Sequence, residues 1–201
     1  MDKIRRRLKN YEAKRLSSSF TKKLNPSAVL VPLYVCQDKV WMLLTRRTDT
    51  VSHHKCQISF PGGRRDESDR DEAHTALREF EEEMGIPASK VEIFGRLDEQ
   101  PVITRYCIAP FVGELEYPFT SNPNADEIED VLPMPLDEFL VPENHRLTEQ
   151  EFEGRVFPIH YFQIGRETVW GATGRIIADL LEVCFDYRPP DYESFLEKRG
   201  E

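Results

Sequence analysis

Cysteine is scarce in this chain, and nothing pairs the few that exist. Cys36, Cys56, Cys107 and Cys184 are scattered through 201 residues, with no C-x-x-C pair and no nearby histidine at zinc-ligand spacing. This excludes a disulfide framework and argues against a structural zinc, leaving buried or incidental thiols in a reducing compartment. Long apolar runs are also missing. None approaches the roughly 20 residues a membrane-spanning helix needs. The N-terminal MDKIRRRLKNYEAKRL lacks the apolar core of a secretory signal, and the C-terminal KRGE matches no sorting or lipidation signal. A cytoplasmic protein without membrane contact is expected. Positive charge is in deficit too: 27 Lys plus Arg face 36 Asp plus Glu. No general basic field is available to hold a nucleic-acid backbone. A phosphate substrate stays open, because a local basic loop or a bound cation can neutralise it.

What is present fits one globular domain spanning 1–201, with 39% hydrophobic and 10% aromatic residues and no internal repeat. Residues 1–25 read as a basic helix and loop, with Ile4, Leu8 and Leu16 as a thin apolar face against the domain. Ala28 to Cys36 and Val40 to Thr45 read as a hairpin closed by a short polar turn. Further strands are expected at Val91 to Leu97, Val102 to Leu115 and Ile128 to Met134, followed by a helical turn at Leu136 to Leu140. Val156 to Gln163 and Glu167 to Trp170 suggest a last hairpin. Gly171 to Cys184 carries Ile176, Ile177, Leu180, Leu181 and Cys184 at helical spacing. Strands and helices interleave while hairpins also occur, so the expected class is α/β (α+β), a mixed sheet with helices on its faces.

The chemistry concentrates in FPGGRRDESDRDEAHTALREFEEEMGI, Phe60 to Ile86. On a helix from Asp69 to Met84, at about 100° per residue, Ala73, Leu77, Phe80 and Met84 form one apolar stripe. Glu79, Glu82 and Glu83 fall together on another side. Like charges at this spacing cost roughly 0.2–0.5 kcal/mol per pair, and the negative end of the helix dipole adds to the penalty. Arg78 is the only base close by in the helix. A solvated acidic face is the plain alternative. A hard divalent cation gives the crowding a reason, since Mg²⁺ joins a few carboxylates to substrate phosphates. Pro61-Gly62-Gly63 adds a turn where backbone can approach a ligand closely.

The segment resembles the Nudix box, G-x5-E-x7-R-E-U-x-E-E-x-G-U, with U a bulky aliphatic. Arg78, Glu79, Phe80, Glu81, Glu82, Glu83, Met84, Gly85 and Ile86 match its second half. Phe80 takes the aliphatic position. Asp69 follows Gly63 after five intervening residues, where the general pattern has Glu, and the gap to Arg78 is one residue longer. Phe60 to Gly63, Asp66, Asp69 and Thr75 to Glu79 resemble instead the coenzyme A pyrophosphatase branch. Leu43, Leu44, Thr45, Arg47 and Thr48 follow that branch upstream, while Ser52 replaces its Arg and Cys56 its Gly. Downstream, Glu127-Ile128, Pro135-Leu136 and Trp170-Gly171-Ala172-Thr173 are similar to its later segments.

The resemblance implies an α/β/α sandwich with the box at 62–86, and a Mg²⁺- or Mn²⁺-dependent hydrolase acting on a small nucleotide. Glu79 and Glu83 become metal ligands, with Glu82 a ligand directly or through water. Arg78 orients a carboxylate, and Glu127 is the first candidate general base with Glu82 next. Gly62, Gly63, Arg47, Arg64 and Arg65 become substrate contacts; Arg46, Lys55, His53 and His54 are further cations of the preceding loop. Trp170 and Thr173 either shape the pocket or belong to the core. Coenzyme A or an acyl-CoA is the implied substrate. ADP-ribose, NADH or a nucleoside triphosphate is the alternative, and a nucleotide-binding regulatory module without turnover is the alternative from another class. A homodimer is compatible with the sequence but not specified by it.

Overall fold

The computed structural model describes residues 1–49, 56–152, 155–189 and 192. Helix α1 (Asp2–Lys9) and a single turn, α2 (Ser18–Thr21), lead into the hairpin β1 (Asn25–Cys36) and β2 (Lys39–Arg47). Two short strands, β3 (Ile58–Ser59) and β4 (Gly62–Arg64), precede helix α3 (Glu72–Met84). Strands β5 (Val91–Arg96), β6 (Gln100–Val102), β7 (Tyr106–Leu115) and β8 (Ile128–Pro135) follow. Then come β9 (His145–Phe152), β10 (Arg155–Ile164), β11 (Glu167–Trp170) and helix α4 (Gly171–Phe185).

Strands β1 to β8 build one mixed sheet on the path β3-β2-β1-β7-β5, with β4 and β6 paired onto β1 and β7 and β8 onto β2. Among the described residues only β1 and β7 run parallel, in register from Asn25 opposite Tyr106 to Leu33 opposite Glu114. The hairpin turn is Gln37-Asp38, both at positive φ (52° and 61°), the backbone a two-residue turn requires. Strand side chains alternate between the two faces. Ala28, Leu30, Leu43 and Phe111 pack with Ala76, Phe80 and Met84 of α3. Val31, Leu33, Leu44 and Val112 pack with Ile177, Leu180 and Leu181 of α4 and with Ile4 and Leu8 of α1. Each fully buried Leu or Phe contributes about 1.5–3 kcal/mol, so the alternation holds the mixed sheet between helices. Strands β9 to β11 form a separate antiparallel sheet on the α4 side. Among the described residues no helix is long and apolar enough to cross a membrane.

Two expectations change, and one strand appears that the sequence pattern did not mark. The run Val102 to Leu115 is not one strand: the Arg105 N–H donates to the Val102 carbonyl at 3.0 Å, and Arg105 sits at φ 63°. The chain therefore reverses, and β6 lies back on β7. His145–Phe152 is a strand, although its polar composition carries no core stripe. Eight register positions against β10 satisfy its backbone, and long-range pairing outweighs side-chain pattern there. Helix α3 begins at Glu72 rather than Asp69, because the Asp71 carboxylate caps it by accepting from the His74 N–H at 2.8 Å.

The other end of α3 is fixed by Gly85, left-handed at φ 62°, whose N–H bonds the Glu81 carbonyl. A Cβ there would lie 2.2 Å from the Asn122 carbonyl oxygen. Gly85→Ala is expected to cost about 2 kcal/mol or more. Urea unfolding measures it, and a loss below about 0.5 kcal/mol contradicts this tight end.

Candidate active site

The last turns of α3 carry the acids, and the loop after β7 makes that end usable. Terminal carbonyls of a helix need donors. Ser121 Oγ and the Asn122 N–H reach the Met84 carbonyl at 2.8 and 3.0 Å, and the Asn124 N–H reaches Glu83 at 3.0 Å. The same loop brings in Glu127, half-buried at the start of β8. Its charge lies close enough to raise the proton affinity of both Glu79 and Glu83.

Arg78 is held from behind. Its Nε and Nη2 donate to the two oxygens of Asp69, each at 3.0 Å, a bidentate pair. The Asp69 side chain is fully buried and also accepts from Thr75 Oγ1 at 3.0 Å and the Asp66 N–H at 2.9 Å. These donors, Arg78 first, hold its carboxyl well below the usual carboxylate range. Asp66, Asp69 and Thr75 of the sequence pattern are thus one hydrogen-bonded unit. So fixed, Arg78 presents Nη1 to Glu79 and Glu82, 2.9 Å from each.

Glu83 is 3% exposed, and burial pushes its carboxyl up to about 8. One oxygen lies 3.5 Å from Arg47 Nη1. The other, Oε2, is buried and meets no hydrogen-bond partner among the described residues, although the Gly62 N–H lies near enough to the carboxyl to favour its charged form. A buried carboxylate oxygen without a donor is costly unless a cation faces it. Glu79 is half-buried, and desolvation raises its proton affinity as well. Gly62 and Gly63 touch this cluster. A Cβ on Gly63 would lie 2.5 Å from the Glu79 carboxyl, and one on Gly62 would lie 2.4 Å from the Ala28 carbonyl oxygen of β1. Bare backbone is required on both sides.

Arg46 and Arg47 diverge because neighbouring strand residues face opposite sides, with a register irregularity between them. Arg46 leaves the site and pairs with Glu167 of β11 at 2.6 Å. Arg64 is exposed beside the box and contributes its carbonyl to Arg78 Nη2 at 3.2 Å. Arg65 spends its guanidinium on the carbonyls of Asp69 and Arg70, both at 3.2 Å, and so stiffens the loop. Ser52, His53, His54 and Lys55 lie outside the described residues. Cys56 is exposed and sits at φ 56°. The backbone there keeps a glycine-like conformation where the coenzyme A branch has Gly, so the departure concerns the side chain alone. Thr173 is buried; Trp170 is 42% exposed and stacks on Tyr161 at 5.8 Å, on the outer face of β11 rather than in the core.

A family model described as the NUDIX domain matches residues 24–155. The chain belongs to the Nudix family. Among its relatives, the mouse peroxisomal coenzyme A diphosphatase NUDT7 is 37% identical over 139 residues, 69% of this chain and 59% of that protein. The uncharacterized Nudix hydrolase NudL of Photorhabdus laumondii is 33% identical over 156 residues, 78% of this chain and 83% of that one. This Nudix chain therefore spans less than two thirds of the mouse relative's length. A solved MutT/nudix family protein from Enterococcus faecalis superposes with a TM-score of 0.53 at 15% identity, covering 92% of this chain and 70% of that one. That likeness concerns the fold.

Nudix hydrolases generally use divalent ions such as Mg²⁺ or Mn²⁺. The residues fit such an ion in donor chemistry: three carboxylates on about one helical turn, one with a buried oxygen lacking a partner. Among the described residues no three acidic, His or Cys side chains are already converged to hold a metal. Glu79 and Glu82 instead lean on Arg78. In the metal-free protein, Glu83 stabilises the fold most below its unfolded value of 4.5 and progressively less as pH rises through about 8. Glu83→Gln removes that ionisation. Above pH 8, without divalent ions, the variant is expected to be more stable than the parent by on the order of 1 kcal/mol or more. Added Mn²⁺ should reverse the order. Thermal unfolding across pH checks both, and a metal-free variant less stable than the parent contradicts the burial argument.

Proposed function

We propose that this chain hydrolyses a phosphoanhydride bond in a nucleoside diphosphate derivative, with Mg²⁺ or Mn²⁺ held by Glu79, Glu83 and Glu82. Coenzyme A or an acyl-CoA is the substrate, and 4′-phosphopantetheine (or its acyl form) and adenosine 3′,5′-bisphosphate are the products. The observation that carries this reading is the buried Glu83 carboxyl, with Oε2 unpartnered among the described residues, beside Glu79 and the bare backbone of Gly62-Gly63. The similarity to a coenzyme A diphosphatase, and the glycine-like backbone kept at Cys56, favour the substrate choice.

Held by these carboxylates, such an ion would neutralise the diphosphate and lower the pKa of water. Each remaining task falls to the chain. Gly62 and Gly63 let the diphosphate come close to backbone, and Arg64 is exposed beside them to meet phosphate oxygens. Arg47 stays against Glu83 and limits the net charge of the cluster. Arg78, fixed by Asp69, keeps Glu79 and Glu82 in place. Glu127 takes a proton from the attacking water while that oxygen bonds to one phosphorus; the bridging oxygen leaves with the other phosphate. Arg65 acts by stiffening the loop behind the glycines. Loss of Arg at position 52 favours the second reading, ADP-ribose or another dinucleotide cleaved by the same residues.

A substrate panel of coenzyme A, acetyl-CoA, ADP-ribose, NADH and a nucleoside triphosphate, with Mg²⁺, Mn²⁺ or chelator, tests this. Metal-dependent release of 4′-phosphopantetheine is expected. Cleavage of ADP-ribose with coenzyme A untouched would replace the substrate, and saturable binding without turnover would replace the enzyme by a regulatory module. Glu79→Gln and Glu83→Gln are each expected to lower turnover by about 100-fold or more. Turnover retained in either removes that residue from the ligand set.

A further inference from the structure

His74 has no part in the chemistry above, and no sequence pattern singled it out. It sits in the first turn of α3, half-buried, with Nδ1 2.8 Å from Asp69 Oδ1. That oxygen is the one that also accepts from Arg78 Nε at 3.0 Å. Asp69 therefore gathers five donors: Arg78 twice, Thr75, the Asp66 N–H and His74. An ionised carboxylate has no proton to give, so the imidazole must donate, from Nδ1. Nε2 makes no protein hydrogen bond among the described residues. The backbone N–H of His74 is itself fixed on the Asp71 cap at 2.8 Å, which sets where the ring begins.

We propose that His74 is a positioning residue: as the Nδ1–H form it pins Asp69 Oδ1, and through Asp69 it fixes the guanidinium plane of Arg78 against Glu79 and Glu82. The consequence for catalysis rests on the hydrolase reading given above; the hydrogen-bond chain itself does not. The geometry explains why one ring matters to carboxylates it never touches. Rotation of Asp69 about its side-chain torsion would break both Arg78 contacts together, and among the described residues only His74 and Arg78 donate to Oδ1. A neutral ring and an imidazolium both donate from Nδ1, so the pin holds in either protonation state.

Two measurements test this, the first needing neither metal nor substrate. In ¹⁵N spectra of the metal-free protein, His74 should be the Nδ1–H form, and the Arg78 Nε–H should exchange slowly with water. His74→Ala should speed that exchange about tenfold. Under turnover, His74→Ala should lower kcat by about tenfold with KM nearly unchanged, and His74→Asn, whose amide nitrogen falls near the position of Nδ1, should restore most of it. Thermal unfolding of both variants controls for a lost helix cap. An Nε2–H tautomer, or unchanged Arg78 exchange in His74→Ala, overturns the proposal. So does an equal loss of kcat in the Ala and Asn variants. If every compound in the panel resists cleavage, the exchange measurement still decides on His74, and the failure belongs to the hydrolase reading alone.

Discussion

An almost fully buried carboxyl group, with one oxygen left without a hydrogen-bond partner among the described residues, is the constraint around which this molecule is arranged. Glu83 lies at the end of a helix, where the dipole opposes it, beside two further acids. Arg47 and the nearby Gly62 N–H compensate part of its charge, and burial still raises its proton affinity. Such an arrangement survives only where stronger features hold it, and they are visible. Helix α3 is sunk against β1, β2 and β7 through Ala76, Phe80 and Met84, while Ala73 and Leu77 of the expected stripe are only partly buried beside them. Its ends are clamped by Asp71 and by Gly85 with the 121–124 loop. Packing on one side of the helix carries the electrostatic cost on the other.

The second arrangement is a relay of charges from the interior outward. Asp69 is buried and fully hydrogen-bonded, Arg78 is half-buried, and Glu82 is exposed. Each link is short, so the guanidinium has little freedom to choose another partner. Nη1 carries two N–H groups and stands 2.9 Å from one oxygen of each acid, so it serves Glu79 and Glu82 together. Arg78 stays where Asp69 puts it, between the two acids. The interior end of the relay is buried and the outer end reaches solvent.

Much of this was legible in the sequence because its signals are local. The box helix, its glycine end and the β1–β2 hairpin rest on spacing and turn chemistry within a few residues. So did the grouping of Glu79, Glu82 and Glu83. Three things were not legible. The reversal at Ile103-Thr104-Arg105 has no Gly or Pro to announce it, since Arg105 adopts a conformation glycine usually takes. Strand β9 is polar and exists because β10 pairs with it. The partition of the arginines is tertiary: four neighbouring basic side chains look alike as loop cations. Yet Arg46 belongs to Glu167, Arg47 to Glu83 and Arg65 to backbone carbonyls, while Arg64 is exposed beside the glycines. The role of His74 also needed coordinates, because its partner lies five residues away across a helix cap.

The most direct measurement of the central idea is a crystal structure of the protein soaked in Mn²⁺, with an anomalous difference map recorded at the manganese edge. The account predicts a peak at about 2.2 Å from Glu83 Oε2, with Glu79 turned off Arg78 to meet it. A map showing manganese elsewhere, with Glu83 Oε2 still facing no cation at saturating metal, would contradict it.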